Sequence, residues 1–155
     1  MRVVLLSPGE RMPAWMAQGF EDYRKRLAAC LPLDLRELRL PRGKALSAAQ
    51  ARTLEAQILL AALPPAAHVI ALDSRGTPWS SAQLAEQLAQ WRMHGRDVHL
   101  LIGGAEGLHE SVRARAAQRW SLGPLTLPHM LVRVLVAEQL YRAASMLQGH
   151  PYHRV

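Results

Sequence analysis

Cysteine is almost missing: Cys30 is the only one in 155 residues. That excludes an internal disulfide framework and any cysteine-rich zinc module, and it makes a reducing compartment the economical expectation. Long apolar runs are missing too, since charged or polar side chains interrupt every stretch before the roughly 18 residues a membrane span requires. The run from Arg2 to Leu6 stops at Ser7-Pro8-Gly9, too short for a secretory signal, so a cytoplasmic protein with no membrane partner is expected. Lysine is scarce, with Lys25 and Lys44 the only two. No internal repeat or low-complexity linker divides the chain, and its length suits one domain over residues 1–155.

Several chemical signatures are also lacking. The glycine cluster Gly103-Gly104-Ala105-Glu106-Gly107 has neither the Lys-Ser/Thr ending of a phosphate-binding loop nor the G-x-G-x-x-G spacing of a dinucleotide site. No G-x-S-x-G elbow precedes a histidine, which disfavours a serine hydrolase. Seven histidines, His68, His94, His99, His109, His129, His150 and His153, show no H-E-x-x-H and no cysteine pairing, so no metal is expected. Pro151 opposes a helix between His150 and His153. Cys30 reads as a small buried hydrophobe.

What is present is positive charge at both ends. Half the residues are hydrophobic, and 19 Lys and Arg stand against 12 Asp and Glu, giving +7. Residues 1–50 carry +4, residues 51–110 carry −2, and residues 111–155 carry +5. A clustered excess of arginine suits a phosphate backbone, so the asymmetry points towards a nucleic-acid partner without requiring one.

The apolar pattern alternates strand and helix. Arg2–Leu6 reads as a buried strand, and Pro13 opens a helix over Ala14–Ala29 with Trp15, Phe20, Tyr23 and Leu27 on its apolar face. Leu33–Leu40 reads as a strand with one exposed face, and Pro41 to Lys44 as a basic turn. Ser47 with Gln50 and Ser80 with Gln83 have capping-box spacing, and each opens a helix, the first stopped by Pro64-Pro65 and the second ending near Gly95. His68–Asp73 and Asp97–Ile102 are near-continuously apolar strands. A helix is expected from Gly107 to Arg119, a loop from Ser121 to Pro128, a last helix from His129 to Leu147, and a polar, basic tail from Gly149. These features predict an α/β fold, a mainly parallel sheet with helices on both faces.

In such a sheet ligands sit beyond the carboxyl ends of strands, which singles out Leu72–Trp79, Gly103–Leu108 and Leu122–Pro128. The Asp73–Gly76 piece is either a substrate loop or an ordinary turn, and Trp79 either stacks on a base or plugs the core. Glu138 and Arg142, four apart, are either a plain helix pair or part of an RNA-facing site. In Pro151–Arg154 a ring, an imidazole and a guanidinium lie together, unless the tail is merely frayed.

The segments Gly103–Gly107, Leu122-Gly-Pro-Leu-Thr-Leu-Pro-His129, Val132–Ala143 and His150-Pro-Tyr-His-Arg154, with Met12-Pro13 and Trp15 near the start, resemble the small SPOUT-class methyltransferases that modify N3 of a pseudouridine in large-subunit ribosomal RNA. The resemblance covers nearly the whole chain. It implies a C-terminal trefoil knot, with the knotted part at about 68–155, and a homodimer. It further implies S-adenosyl-L-methionine as cofactor, held by Leu72, Gly103, Leu122, Gly123, Pro124, Leu125, Thr126 and Leu127, and large-subunit RNA in the assembled 70S ribosome as substrate.

The chemistry agrees with that placement. A sulfonium cofactor without phosphate needs apolar walls and backbone partners, so an uncharged cavity beside the basic tail is expected. Loss of the weakly acidic N3 proton calls for a base or a nearby cation. His153, Arg154, Arg142 and Glu138 are the candidates, with His153 for positioning or proton handling and the two arginines for phosphate or anion stabilisation. A ribosome-associated RNA-binding protein of the same fold without turnover is the alternative.

Overall fold

The computed structural model describes residues 1–9, 11–41, 45–104 and 106–154, apart from the His153 side chain. Of the basic turn at 41–44 only Pro41 falls among them, and Ala105 of the glycine cluster does not. In chain order the elements are β1 (Val3–Pro8), α1 (Ala14–Leu27), β2 (Leu33–Leu38), α2 (Ala48–Ala61), β3 (His68–Pro78), α3 (Ser81–His94), β4 (Val98–Ile102), α4 (Glu110–Arg115), β5 (Gln118–Ser121) and α5 (His129–Leu147). A 3-10 turn, Pro151–His153, follows.

The sheet order is β2-β1-β4-β3-β5, and every neighbouring pair is parallel. Every residue of β1 and of β4 is buried, as an interior strand covered on both faces requires. Alternate residues face opposite ways: Val3, Leu5, Ile70 and Leu100 pack with Phe20, Leu88, Val136 and Leu140, whereas Val4, Leu6, Val69 and Leu101 pack with Ala56, Leu59 and Val112. So α1, α3 and α5 cover one face, and α2 and α4 the other.

Right-handed crossovers explain this division. The steps β1 to β2 and β3 to β4 move the same way across the sheet, and their helices α1 and α3 share a face. The steps β2 to β3 and β4 to β5 move the opposite way, and α2 and α4 lie on the other face.

Both capping boxes form. Ser47 and Ser80 accept from the N–H groups of Gln50 and Gln83 at 3.1 Å, and each glutamine side chain returns the bond at 2.9 Å. Gly95 closes α3 in the left-handed conformation at φ 66°.

Four expectations are corrected. The helix expected to reach Arg119 ends at Arg115, because Ala116 turns extended and the Ala117 N–H donates to Val69 O at 2.8 Å; sheet pairing then wins, and 118–121 becomes the edge strand β5. The Asp73–Gly76 loop is a bulge inside β3, where Leu72 and Thr77 both pair with Trp120. Trp15 is 64% exposed. Five residues before Phe20, it lies about 140° round the helix from the buried stripe. Pro151 does not prevent helical structure: it occupies the first turn of the 3-10 segment, where its missing N–H costs nothing. Trp79 packs against the core, stacked on Trp120 at 5.5 Å between centroids.

Among the described residues one charged group, that of Arg133, is wholly buried. Arg133 on α5 donates from Nε to Ser7 Oγ at 3.1 Å, from one terminal nitrogen to Glu37 Oε2 at 2.9 Å, and reaches Pro8 O at 3.4 Å with the other. It ties α5 to the carboxyl ends of β1 and β2. Removing it leaves Ser7 and Glu37 without their partner, so Arg133→Ala is expected to lose about 3 kcal/mol of stability in urea unfolding, the low end for a broken buried pair because Glu37 keeps access to water. A loss under about 1 kcal/mol would show the network to be dispensable.

Three imidazoles, His68, His99 and His129, titrate below the ordinary value of 6.5, each chiefly because burial penalises the cation and secondarily because a positive neighbour, Arg96, Arg36 or Arg133 respectively, opposes it. The unfolded chain therefore binds more protons, so their contribution is complete above about 6.5 and is lost as the pH falls through the folded values. Thermal unfolding is expected to show a midpoint that drops below about pH 6.5, less steeply in His99→Leu; a flat profile would contradict it.

Candidate functional site

The bulge of β3 and the carboxyl ends of β4 and β5 open into one cavity of about 400 Å³. All eight residues singled out for a cofactor, Leu72, Gly103, Leu122, Gly123, Pro124, Leu125, Thr126 and Leu127, line it. Ile102, Leu108, Trp120 and Val132 add apolar wall, and His129 stands at the start of α5.

Two loops need glycine for stated reasons. A Cβ on Gly103 would lie 2.8 Å from the carbonyl carbon of Gly107, so the loop can double back there only without a side chain. The return is fixed by the Gly107 N–H donating to Gly104 O at 3.1 Å, with Gly107 at φ 77°. In the other loop Gly123 takes φ 113°, and its N–H donates to Ser121 Oγ at 3.1 Å. Ser121 Oγ also lies 3.3 Å from Ser74 O, tying the loop's root to the β3 bulge.

The cavity is not uncharged, contrary to expectation. Arg52, Asp73, Arg75, Glu106 and Arg113 line it as well. Arg113 is held between carboxylates, 2.9 Å from Asp73 and 2.9 Å from Glu110, with Asp73 only 7% exposed. The Asp73 contact lies off the N–H direction and is a charge contact rather than a hydrogen bond. Asp73 accepts the Arg75 N–H at 3.1 Å through its other oxygen. Sequence reasoning missed this pair because its members are 40 positions apart, on a strand and a helix with no local pattern that links them. Arg52 was missed likewise, on a helix whose spacing signals only packing.

The tail is built, not frayed, through Tyr152. The His150 N–H donates to Ser145 O at 2.9 Å, and Tyr152 packs edge-on against Tyr141 with centroids 4.6 Å apart. Glu138 Oε1 accepts from Arg142 at 2.6 and 3.0 Å and from the Tyr152 hydroxyl at 3.2 Å. The Arg142 guanidinium lies 5.1 Å from the centre of the Tyr152 ring. The bond to Glu138 pushes the Arg142 pKa up, and burial, the Tyr23 hydroxyl and the Glu138 charge push Tyr152 up, so one stays cationic and the other neutral. Glu138 and Arg142 thus form a helix pair, which Tyr152 extends into a network. Arg154 is exposed, and the His153 side chain lies outside the described residues.

Neither Glu138, Arg142 nor Arg154 lines the cavity, so a cavity beside the tail does not occur within one chain. Along α5, Glu138 and Arg142 stand 9 and 13 residues beyond His129, about 13 and 20 Å away at 1.5 Å per residue. The helix that begins at the cavity carries the tail away from it.

A family model described as "Predicted SPOUT methyltransferase" matches residues 1–153. The chain is 56% identical over 155 residues to "Ribosomal RNA large subunit methyltransferase H" of Xanthomonas campestris pv. campestris, covering 99% of each. It is 50% identical, at the same coverage, to the protein of that name from Hahella chejuensis. Two solved structures share the fold at low identity. A probable methylase family protein from Haemophilus influenzae matches at TM-score 0.52 and 13% identity, over 99% of this chain and 70% of that one. TrmJ from Z. mobilis matches at TM-score 0.52 and 20% identity, over 92% and 69%. With almost its whole length matched and half its residues shared with full-length relatives, this chain belongs to the SPOUT methyltransferase family of S-adenosylmethionine-dependent enzymes with an α/β-knot fold.

Proposed function

We propose that this protein transfers the methyl group of S-adenosylmethionine to N3 of a pseudouridine in 23S ribosomal RNA of the large subunit, acting in the cytoplasm on the assembled 70S ribosome as a homodimer, with its knotted part at about 68–155. The observation that carries the reading is the three-loop cavity, in a chain 50–56% identical to proteins named ribosomal RNA large subunit methyltransferase H.

The residues present fit the cofactor. The cavity lies within the range of small-molecule sites, and its walls from Leu72 and Leu122 to Leu127 are apolar enough for an adenine ring. Gly103, Gly104 and Gly107 line the cavity with backbone alone, having no side chain to fill it. Asp73 and Glu106 offset two of the three lining arginines, and Arg113 is also paired with Glu110 behind the wall, so little unpaired positive charge faces a cationic sulfonium. When bound, S-adenosylmethionine supplies an electrophilic methyl group.

The remaining work falls to side chains. An imide N3 must lose a proton and bear negative charge, which a fixed cation stabilises. Arg142, held charged by Glu138 beneath the Tyr152 ring, supplies such a cation; His153 receives or relays the proton, and Arg154 contacts phosphate. Because α5 carries these groups away from their own cavity, the tail that completes each acceptor site comes from the partner protomer. The basic ends of the chain suit the phosphate-rich substrate.

Gly103→Trp is expected to abolish cofactor binding in calorimetry, since even a Cβ there meets backbone at 2.8 Å; unchanged affinity would remove Gly103 from the site.

The function itself is tested by incorporation of labelled methyl into 70S ribosomes, free 50S subunits and free 23S RNA, with incorporation expected in 70S. Cofactor binding without incorporation into any of them would favour a non-catalytic RNA-binding protein. Equal mixing of refolded Gly103→Trp and Arg142→Ala protomers, each inactive alone, is expected to restore about a quarter of wild-type activity, because half the dimers are mixed and one of their two sites has both parts intact. No recovery would place the tail's action within its own protomer.

A further inference from the structure

One buried acid remains outside this account. Glu55 sits on the inner face of α2 beside Ala56 and Leu59, 8% exposed, on a face otherwise apolar. Its Oε2 accepts the Gly104 N–H at 3.3 Å. It does not line the cavity, whereas Arg52, one turn earlier on α2, does. Burial pushes its carboxyl pKa up, and Glu106 adds to that; only the bond from Gly104 works the other way. A leucine there would bury more favourably than a carboxyl group whose hydrogen-bonding capacity is so little used.

The geometry of Gly104 shows what the carboxylate does. A Cβ on Gly104 would lie 2.5 Å from Glu55 Oε1, 2.9 Å from Oε2 and 3.0 Å from Cδ. The carboxylate therefore fills the volume that a side chain at 104 would need, while bonding the same residue's N–H. Gly104 in turn holds Gly107 through a backbone bond, and Gly107 is the residue against which Gly103 closes. Contact thus runs from α2, through one carboxylate, into the loop that walls the cavity.

We propose that Glu55 is a positioning residue for cofactor binding, its carboxylate clamping Gly104 from behind so that the Gly103–Gly107 loop keeps the path that forms the cavity wall. The proposal rests on reading that cavity as the S-adenosylmethionine site. Glu55 touches no ligand and acts through the loop alone.

The test is a double-mutant cycle read by calorimetric S-adenosylmethionine binding and by methyl incorporation, with unfolding midpoints for each protein. Glu55→Ala is expected to weaken cofactor binding and raise its KM about tenfold, with kcat at saturating cofactor changed less than about twofold, because a loosened loop costs binding and not the bound arrangement. Glu55→Gln, whose side-chain oxygen accepts the same N–H, is expected to stay within about threefold of wild type. Gly104→Ala, which must push the Glu55 carboxylate off its seat, is expected to weaken binding about tenfold alone, but to cost less than about threefold when added to Glu55→Ala, where the space is free.

Wild-type protein that fails to bind S-adenosylmethionine would overturn the cofactor reading, and this inference with it. Normal wild-type binding with unaltered KM in Glu55→Ala, or a lowered unfolding midpoint with no change in the KM-to-kcat split, would overturn the clamp alone. So would additive losses in the double variant. If Glu55→Ala does not fold, near-wild-type binding in Glu55→Gln beside weakened binding in Gly104→Ala supports the clamp, and unaltered binding in Gly104→Ala overturns it.

Discussion

A guanidinium with no access to water ties the last helix to the first two strands. Taking Arg133 out of solvent is costly, and the cost is offset only where each donor finds an oxygen in good geometry. Here the oxygens come from Ser7 and Pro8 at the end of the first strand and from Glu37 near the end of the second. These partners exist in one place, so α5 has one seat. Because α5 follows the 122–127 loop directly, fixing the helix also fixes where that loop must cross, and the cavity owes its far wall to a contact made outside it.

From that seat the remaining geometry follows. All five strands point the same way, so their carboxyl ends share one edge of the sheet and their loops meet there. The helix faces follow from the handedness of the crossovers. α5 then separates two chemistries along its own length: its first turn borders the cavity, and its later turns carry the Glu138, Arg142 and Tyr152 network. A rigid helix cannot bring its two ends together, so the cavity and that network stay apart within one chain.

Much of the fold was legible in the chain because the signals were local. The two capping boxes, Gly95 and the run from His129 to Leu147 each name their element through residues a few positions apart, and the structure has them there. β5 was illegible, since Gln118-Arg-Trp-Ser121 has no alternation of its own and becomes a strand only because β3 offers an edge. The loops around the cavity were legible through their glycines and leucines. Of their charged lining, Asp73, Arg75 and Glu106 fell within those loops, but Arg52 and Arg113 did not, because they lie on two helices that only the sheet brings to the cavity. Glu55 was hidden for a similar reason: on a helix its spacing marks a packing face, and its partner is a backbone N–H that leaves no trace in the side-chain pattern. The separation of tail from cavity was missed because proximity in a motif says nothing about the length of the helix between.

The Arg133 contact joins Ser7 to a residue 126 positions later. During synthesis the first strand must therefore wait for nearly the whole chain before its last neighbour exists. At about 5–20 residues per second that wait is roughly 6–25 s. In that interval the apolar face of β1 that α5 will cover stays open, and β4 joins it only for about the last quarter of the wait.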